Sequence, residues 1–210
     1  MGRNLDPKCK QCRRAGEKLF LKGDRCYSAK CAIVKRNYPP GIHGAKLARR
    51  SKQSEYGMQL AEKQKARKQY GLLEKQFRLT FDRATSKEGR TGVNFLKLLE
   101  KRLDNVVFRL GLASSRNKAR QIVNHGHITV NGRKVNIPSY EVREGDVVEV
   151  KKSSQRNKVF KDIKERLKNH QTPGWLNLDK EDLKGKVLHD PTEEDLPGDI
   201  NTQVIIEFYS

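Results

Sequence analysis

An α+β fold is predicted by three features of the chain: four cysteines confined to its first 31 residues, apolar residues recurring at helical spacing between positions 73 and 110, and an Asn-Gly turn between two β-branched runs further on. They imply an N-terminal loop region stapled by a metal, a mainly helical domain, and an inserted small module in which a helix pair packs on a small antiparallel sheet. The 210 residues are only 35% apolar, with a mean hydropathy of −0.86, which suits two modest cores better than one large one. The divisions expected are residues 1–45 for the cysteine segment, 46–93 for the helical domain, and 94–152 for the module. Residues 153–210 would supply a C-terminal helix, an acidic stretch and a strand packing back on the helical domain.

The cysteines Cys9, Cys12, Cys26 and Cys31 stand as C-x2-C-x13-C-x4-C. A short spacer lets both sulfurs of a pair turn toward one ion, and the longer loop brings the second pair across to complete a tetrahedron. Positive neighbours such as Lys8, Lys10, Arg13, Arg14, Lys22, Arg25 and Lys30 favour the thiolate form that binds metal. Residues 1–45 hold too few apolar side chains to bury four unrelated cysteines. One structural zinc is therefore the expected cofactor, and a [4Fe-4S] cluster is the alternative that four thiolates also permit. A closed four-thiolate site leaves no open coordination position, so its role would be structural.

The segment ends in the breaker Tyr38-Pro39-Pro40-Gly41. Ser54 can then cap a helix running to about Tyr70, with Glu55 in its first turn, Lys and Arg in its later turns, and Gly71 beyond its end. Leu73, Phe77, Phe81 and Ala84 mark a second amphipathic helix. Phe95, Leu99, Leu103, Val106 and Leu110 form one long stripe opened by Thr91 and closed by Gly111. Ser115 caps a short helix with Ala119, Ile122 and Val123 inward and Arg116, Lys118 and Arg120 outward. In Ile128-Thr129-Val130-Asn131-Gly132-Arg133-Lys134-Val135 the Asn-Gly pair signals a hairpin, since both turn positions need positive φ. Tyr140, Val142, Val148 and Val150 around Glu144-Gly145-Asp146 add short strands. After a Ser153-Ser154-Gln155 linker, Val159, Phe160, Ile163 and Leu167 line a helix, and Val204 to Tyr209 reads as a terminal strand.

Charge narrows the partner. Lys and Arg number 45 against 25 Asp and Glu, a net +20, with a pI near 10.0. Residues 1–85 carry +15, residues 86–170 carry +11, and residues 171–210 carry −6, so the basic charge is segregated rather than spread. Fourteen basic residues face two acidic ones between positions 8 and 52. Such runs describe a phosphate-facing surface. A membrane surface competes less well, because the basic helices lack a broad apolar face to bury in lipid. No window has the roughly 20 apolar residues of a membrane span. The first seven residues carry no apolar stretch, so export, and structural disulfides with it, is not expected.

Other motifs are weaker. His125 and His127 flank a helix-stopping glycine and suit a sugar or phosphate contact better than a metal. Asp104 reads as a helix-surface charge and Trp175 as a core anchor. The acidic stretch 171–200 fits either a protein neighbour or a solvated tail. An RNA-modifying enzyme would need a catalytic domain larger than the 60 residues after Val150. A zinc-dependent DNA-binding regulator would need a base-reading helix after the cysteines, and none follows.

The run Arg116-Asn117-Lys118-Ala119-Arg120-Gln121-Ile122-Val123-Asn124-His125-Gly126-His127-Ile128-Thr129-Val130-Asn131-Gly132 resembles the signature of an RNA-binding module named after small-subunit ribosomal protein four. The module also occurs in pseudouridine synthases and tyrosyl-tRNA synthetases. Met1-Gly2-Arg3, the four-cysteine segment, Tyr38 to Gly44, Leu98 to Val107 and Ile206 to Ser210 extend the resemblance over the whole chain, to the bacterial ribosomal protein family. Many members lack the full cysteine set. The resemblance implies a cytoplasmic, non-enzymatic protein of the small (30S) subunit, and not a homo-oligomer. It would bind 16S ribosomal RNA at a multi-helix junction of the 5′ domain, nucleate assembly and contribute to translational accuracy. Ribosomal proteins five and twelve would be neighbours, and the chain's own messenger RNA a further ligand.

On this reading one RNA-facing surface combines Arg3, Arg13, Arg14, Lys22, Arg36 and His43 with Lys46, Arg49, Arg50 and Lys52. Lys63, Lys65, Arg67, Lys68 and Arg78 continue it along the helices. A second grip comes from Arg116, Lys118, Arg120, His125, His127 and Lys134. RNA junctions present crowded phosphates and a shallow minor groove, so recognition would be by shape and backbone.

Overall fold

In a computed structural model, which describes residues 2, 4–47, 54–157, 160, 163–168 and 170–210, the chain divides into two units, residues 1–92 with 198–210 and residues 93–197. In the first unit the cysteine segment forms α1 (Lys8–Ala15) and the single-turn helices α2 (Asp24–Tyr27) and α3 (Ala32–Lys35). Its buried apolar cluster is only Cys12, Leu19 and Leu21, with Ala15 and Ile33 against it. After α4 (Gly44–Leu47), α5 (Glu55–Gln69) starts where its cap requires, with the Ser54 hydroxyl accepting from the Gly57 amide. In α6 (Glu74–Thr85) Phe77, Phe81 and Ala84 are buried as their spacing predicts.

The second unit contains the long apolar stripe, but as two helices: α7 (Thr91–Glu100), whose Thr91 and Gly92 belong to the first unit, and α8 (Leu103–Arg109). The helix breaks at Arg102, which is extended and bridges Glu141. The broken turn is repaired across the chain, where the Leu103 amide donates to Tyr140 O at 2.8 Å and the Val142 amide to Lys101 O at 2.9 Å. Periodicity continues over this break because Phe95, Leu99, Leu103, Val106 and Leu110 all remain buried. α9 (Arg116–Asn124) is capped by Ser115 and packs on α8.

Strands β1 (Ile128–Val130) and β2 (Arg133–Lys134) close on Asn131 and Gly132 at φ 51° and 76°, the left-handed pair that such a turn demands. The third strand, β3 (Val147–Val150), pairs antiparallel with β1, setting Val130 against Val148. Ser153 and Ser154 lie in a 3₁₀ turn, and α10 (Ile163–Lys168) buries Ile163 and Leu167. A hairpin of β4 (Leu176–Asp179) and β5 (Lys184–Val187) then joins the same sheet, whose order is β2-β1-β3-β5-β4. The acidic stretch thus carries two strands, and residues 153–197 belong with the module instead of packing back on the helical domain. Trp175 is fully buried there, as an anchor should be.

Only the last segment returns to the first unit, and it is a helix, α11 (Thr202–Tyr209), not the expected strand. A short apolar run satisfies either period. Asn201 decides the matter by capping the helix, its side-chain oxygen accepting from the Val204 amide at 3.3 Å. α11 packs on α5, with the Asn201 amide donating to Glu62 at 2.8 Å and the Tyr209 hydroxyl to Glu74 at 3.0 Å.

Candidate nucleic-acid interface

The second unit divides its cations into two kinds. Four arginines are internal. Arg102 forks onto the Asp104 carboxylate at 3.1 and 2.8 Å, and Arg120 reaches the same group at 3.2 Å. Arg109 forks onto Glu100 at 2.8 Å through both nitrogens, while Arg116 lies 3.8 Å from Glu100 and 4.8 Å from the Phe108 ring centre. Glu100 is wholly buried and Asp104 nearly so, which corrects the surface reading of Asp104 and the outward placement of Arg120. Buried carboxylates are stable only when charged donors surround them, so these arginines brace α7, α8 and α9 from within.

The other cations face outward around Gly126, which ends the α9 turn at φ 70°. The Lys134 side chain lies against Gly126, where any Cβ would collide with it. His125 is exposed, 6.0 Å centre to centre from the His127 ring. His127 is half-buried, with its Nδ1 3.0 Å from Ser154 Oγ and its ring edge-on to Phe160. Burial, then His125 and Lys134, lower the His127 pKa, which favours the neutral ring as the hydrogen-bonding partner of Ser154. Lys118 is half-exposed on α9. Arg133, next to Lys134, and Lys151, Lys152 and Arg156, flanking the Ser154 that meets His127, are exposed as well and were not among the expected contacts. The Lys151-Lys152 pair beside the serine linker was the signal for them.

In the first unit the split recurs. Arg13 donates to Tyr38 O at 3.0 Å and Pro39 O at 3.2 Å and stacks on the Tyr38 ring, tying α1 to the proline breaker. Lys63 is buried against Glu74 at 2.7 Å, with its ammonium 4.4 Å from the Phe208 ring centre. Lys65 is held by Glu17 at 3.2 Å and Glu62 at 3.4 Å. Burial opposes the Lys65 charge, but the Glu17 hydrogen bond and both carboxylates raise its pKa. Lys22, Arg36, His43, Lys46 and Arg78 are exposed. Arg3, Arg49, Arg50 and Lys52 lie outside the described residues.

Between α1 and α5 runs a broad groove lined by Lys10, Arg14, Gln64, Arg67 and Lys68. Burial, followed by Arg14 and Arg67, lowers the Lys68 pKa, the mark of crowded positive charge. Arg67 Nε and Gln64 Oε1 are buried there without a hydrogen-bond partner among the described residues. Lys10 and Gln64 were not anticipated, because the groove exists only once α1 meets α5.

The four cysteines are unbridged and together line one small pocket with Leu21, Ala32 and Ile33. The Lys22 amide donates to Cys26 Sγ at 3.4 Å. Burial raises the Cys12 pKa, an amide hydrogen bond at Leu19 opposes it, and Cys26, Cys9 and Cys31 raise it further. Clustered sulfurs therefore resist ionising together unless a cation joins them. Donor chemistry and enclosure fit a four-thiolate ion, although among the described residues no three Cys, His, Asp or Glu side chains already stand at metal-holding distances.

Two family patterns cover most of the chain: "Ribosomal protein S4/S9 N-terminal domain" matches residues 3–100, and "S4 domain" matches residues 101–148. Over all 210 residues and the full length of each relative, the chain is 58% identical to small ribosomal subunit protein uS4 of Halothermothrix orenii, 56% to that of Syntrophomonas wolfei and 54% to that of Thermus thermophilus. The chain belongs to the uS4 family. In uS4 terms the S4 domain begins at the helix break of Lys101 and Arg102 and ends within β3, so the β4–β5 hairpin extends its sheet beyond the domain pattern. Gly126, His125, His127 and Lys134 lie inside the S4 domain, Lys151, Lys152 and Arg156 just beyond its end, and the α1–α5 groove inside the N-terminal domain. No described helix is long and apolar enough to cross a membrane.

Proposed function

We propose that the chain is a structural, non-enzymatic constituent of the small ribosomal subunit, working in the cytoplasm by binding 16S ribosomal RNA at a multi-helix junction. The observation that carries this reading is the sorting of cations. Arg102, Arg109, Arg116 and Arg120 neutralise buried carboxylates, while Lys134, His125, Lys151, Lys152 and Arg156 remain at the surface with no comparable use inside the fold. Exposed ammonium and guanidinium groups gain by displacing the counterions of clustered phosphates. The α1–α5 groove, lined by Lys10, Arg14, Arg67 and Lys68, supplies a second phosphate-facing surface.

Cys9, Cys12, Cys26 and Cys31 would hold one zinc ion, whose chemistry there is to bind four thiolates and cross-link a segment with a small core of its own. The small pocket favours a single ion over a four-iron cluster. Assembly nucleation, an influence on accuracy, contact with ribosomal proteins five and twelve, and binding of the chain's own messenger belong to the same proposal.

The test is direct. Tagged protein should sediment with the small subunit, and filter binding to a 16S 5′-domain transcript should weaken steeply with salt, by about 0.7–0.9 log units per log unit of salt for each phosphate contact. A flat salt response by folded protein overturns the reading.

A further inference from the structure

Two aromatic rings in the cysteine segment have no use in its core. Phe20 and Tyr27 lie with ring centres 5.1 Å apart at 31°, and they are 38% and 74% exposed. Phe20 is held outward by its neighbours. Leu19 and Leu21 are 3% and 5% exposed, packed in the Cys12 cluster, so the residue between them is turned to solvent. Its backbone sits at φ 51°, a left-handed conformation that bulky residues rarely adopt. Anchors on the far side fix the loop: the Lys22 amide is bonded to Cys26 Sγ and the Cys26 amide to Gly23 O at 2.7 Å. Backbone strain that displays a large apolar ring brings nothing to stability, and such conformations concentrate at binding sites.

The surroundings select the ligand. Lys18, Lys22, Arg25 and Lys30 are exposed between positions 18 and 30, against the exposed acid Asp24, while Glu17 is engaged by Lys65. Exposed rings in a cationic field match the chemistry of an unpaired nucleotide, whose base stacks on the ring while its phosphates meet the cations. An acidic protein partner would use the cations but has less need of two adjoining ring faces.

We infer that Phe20 and Tyr27 form a stacking platform for an unpaired base of RNA. The platform rests on the RNA-binding reading above and deepens it: the cysteine segment reads a single-stranded nucleotide, while the other surfaces grip phosphates.

Filter binding of the full-length protein to a 16S 5′-domain transcript across a salt series tests it. Tyr27→Leu and Phe20→Leu should each weaken binding by about five- to hundred-fold, the usual range for a lost base stack. Tyr27→Phe, which keeps the ring, should bind within about two-fold of wild type. Plots of log affinity against log salt should stay parallel to wild type, because a ring releases no counterion. Tyr27 is exposed, so Tyr27→Leu should fold, and a thermal melt that matches wild type checks this. Wild-type affinity in folded Tyr27→Leu overturns the platform alone, and so does a loss accompanied by a shallower salt slope, which marks an ionic contact. Normal RNA binding with failure to enter subunits also overturns it, assigning the rings to a protein neighbour. Failure of wild type to bind the transcript overturns the RNA reading and the platform together.

Discussion

Between positions 8 and 36 order rests on Cys12, Leu19 and Leu21 and a pocket of thiols, whereas the 93–197 unit is filled from Leu103 to Val187 by a continuous apolar cluster. The difference extends to charge. In the cysteine segment most cations are exposed, while Arg13 serves as a strut to the Tyr38 and Pro39 carbonyls and Lys8 as one to Asn4. In the larger unit four arginines are consumed by Glu100 and Asp104. A count of basic residues therefore overstates the RNA-facing charge of a region with a real core, and comes close to it where the core is small.

Removing the proposed zinc should break the contrast most completely. Structural zinc contributes about 10–16 kcal/mol of apparent binding free energy in finger-type peptides, far more than three buried side chains supply. A chelator, or Cys12→Ser, is expected to open residues 8–36 to proteolysis at Lys18, Lys22 and Arg25, with native mass spectrometry recording loss of one zinc. Trp175, the only tryptophan and buried in the other unit, should keep its unfolding transition unchanged. Equal protection with and without metal would remove the staple from the argument.

Next in size is the loss of an internal carboxylate. Glu100→Ala leaves the half-buried Arg109 without its main partner and should cost about 3 kcal/mol, the low end for a broken buried pair because Arg109 keeps some solvent, read by Trp175 fluorescence in urea. Glu100→Met fills the space but strands the same charge, so it should recover only part of the loss. A loss below about 1 kcal/mol would mean that the network is solvated in solution.

Asp104 shows why this network was illegible in the sequence. Its partner Arg120 is 16 residues away on another helix, and its burial depends on the break at Arg102, which apolar spacing does not reveal. Local signals fared better, as the Ser54 and Ser115 caps and the Asn131-Gly132 turn each depend on atoms within three residues. The β4–β5 hairpin was hidden among acidic residues with little alternation to mark it, and α11 hid in an apolar run that fits either period. Exposed site residues such as Lys134 were legible by charge alone. Buried ones such as Lys63, Arg102 and Arg120 carry the same charge, and only the fold separates them.

That separation yields a paired measurement of smaller effect. Lys134→Ala should lower the salt slope of rRNA binding by about 0.7–0.9 and leave the urea midpoint unchanged. Arg120→Gln should do the reverse, lowering the urea midpoint with the slope intact, because its guanidinium is spent on Asp104. Equal slopes for the two variants would erase the distinction between struts and contacts.

The smallest effect concerns acid. Burial would raise the Glu74 pKa, yet the Lys63 ammonium and the Tyr209 hydroxyl, with Arg67 nearby, hold it below the usual carboxylate value. A carboxyl depressed in the folded state contributes stability that is complete above its unfolded pKa, about 4.3, and fades as pH falls through the folded value. The α5–α6–α11 packing should therefore loosen on acidification below about pH 4.3. Glu74→Gln should flatten that limb, at the cost of lower stability near neutral pH, where Lys63 loses its counter-charge against the Phe208 ring. Amide exchange in α11, compared between pH 6 and pH 4, reads this directly. Identical pH dependence in wild type and Glu74→Gln would show that the C-terminal helix is held by its apolar contacts with α5 and owes nothing to the ionised carboxylate.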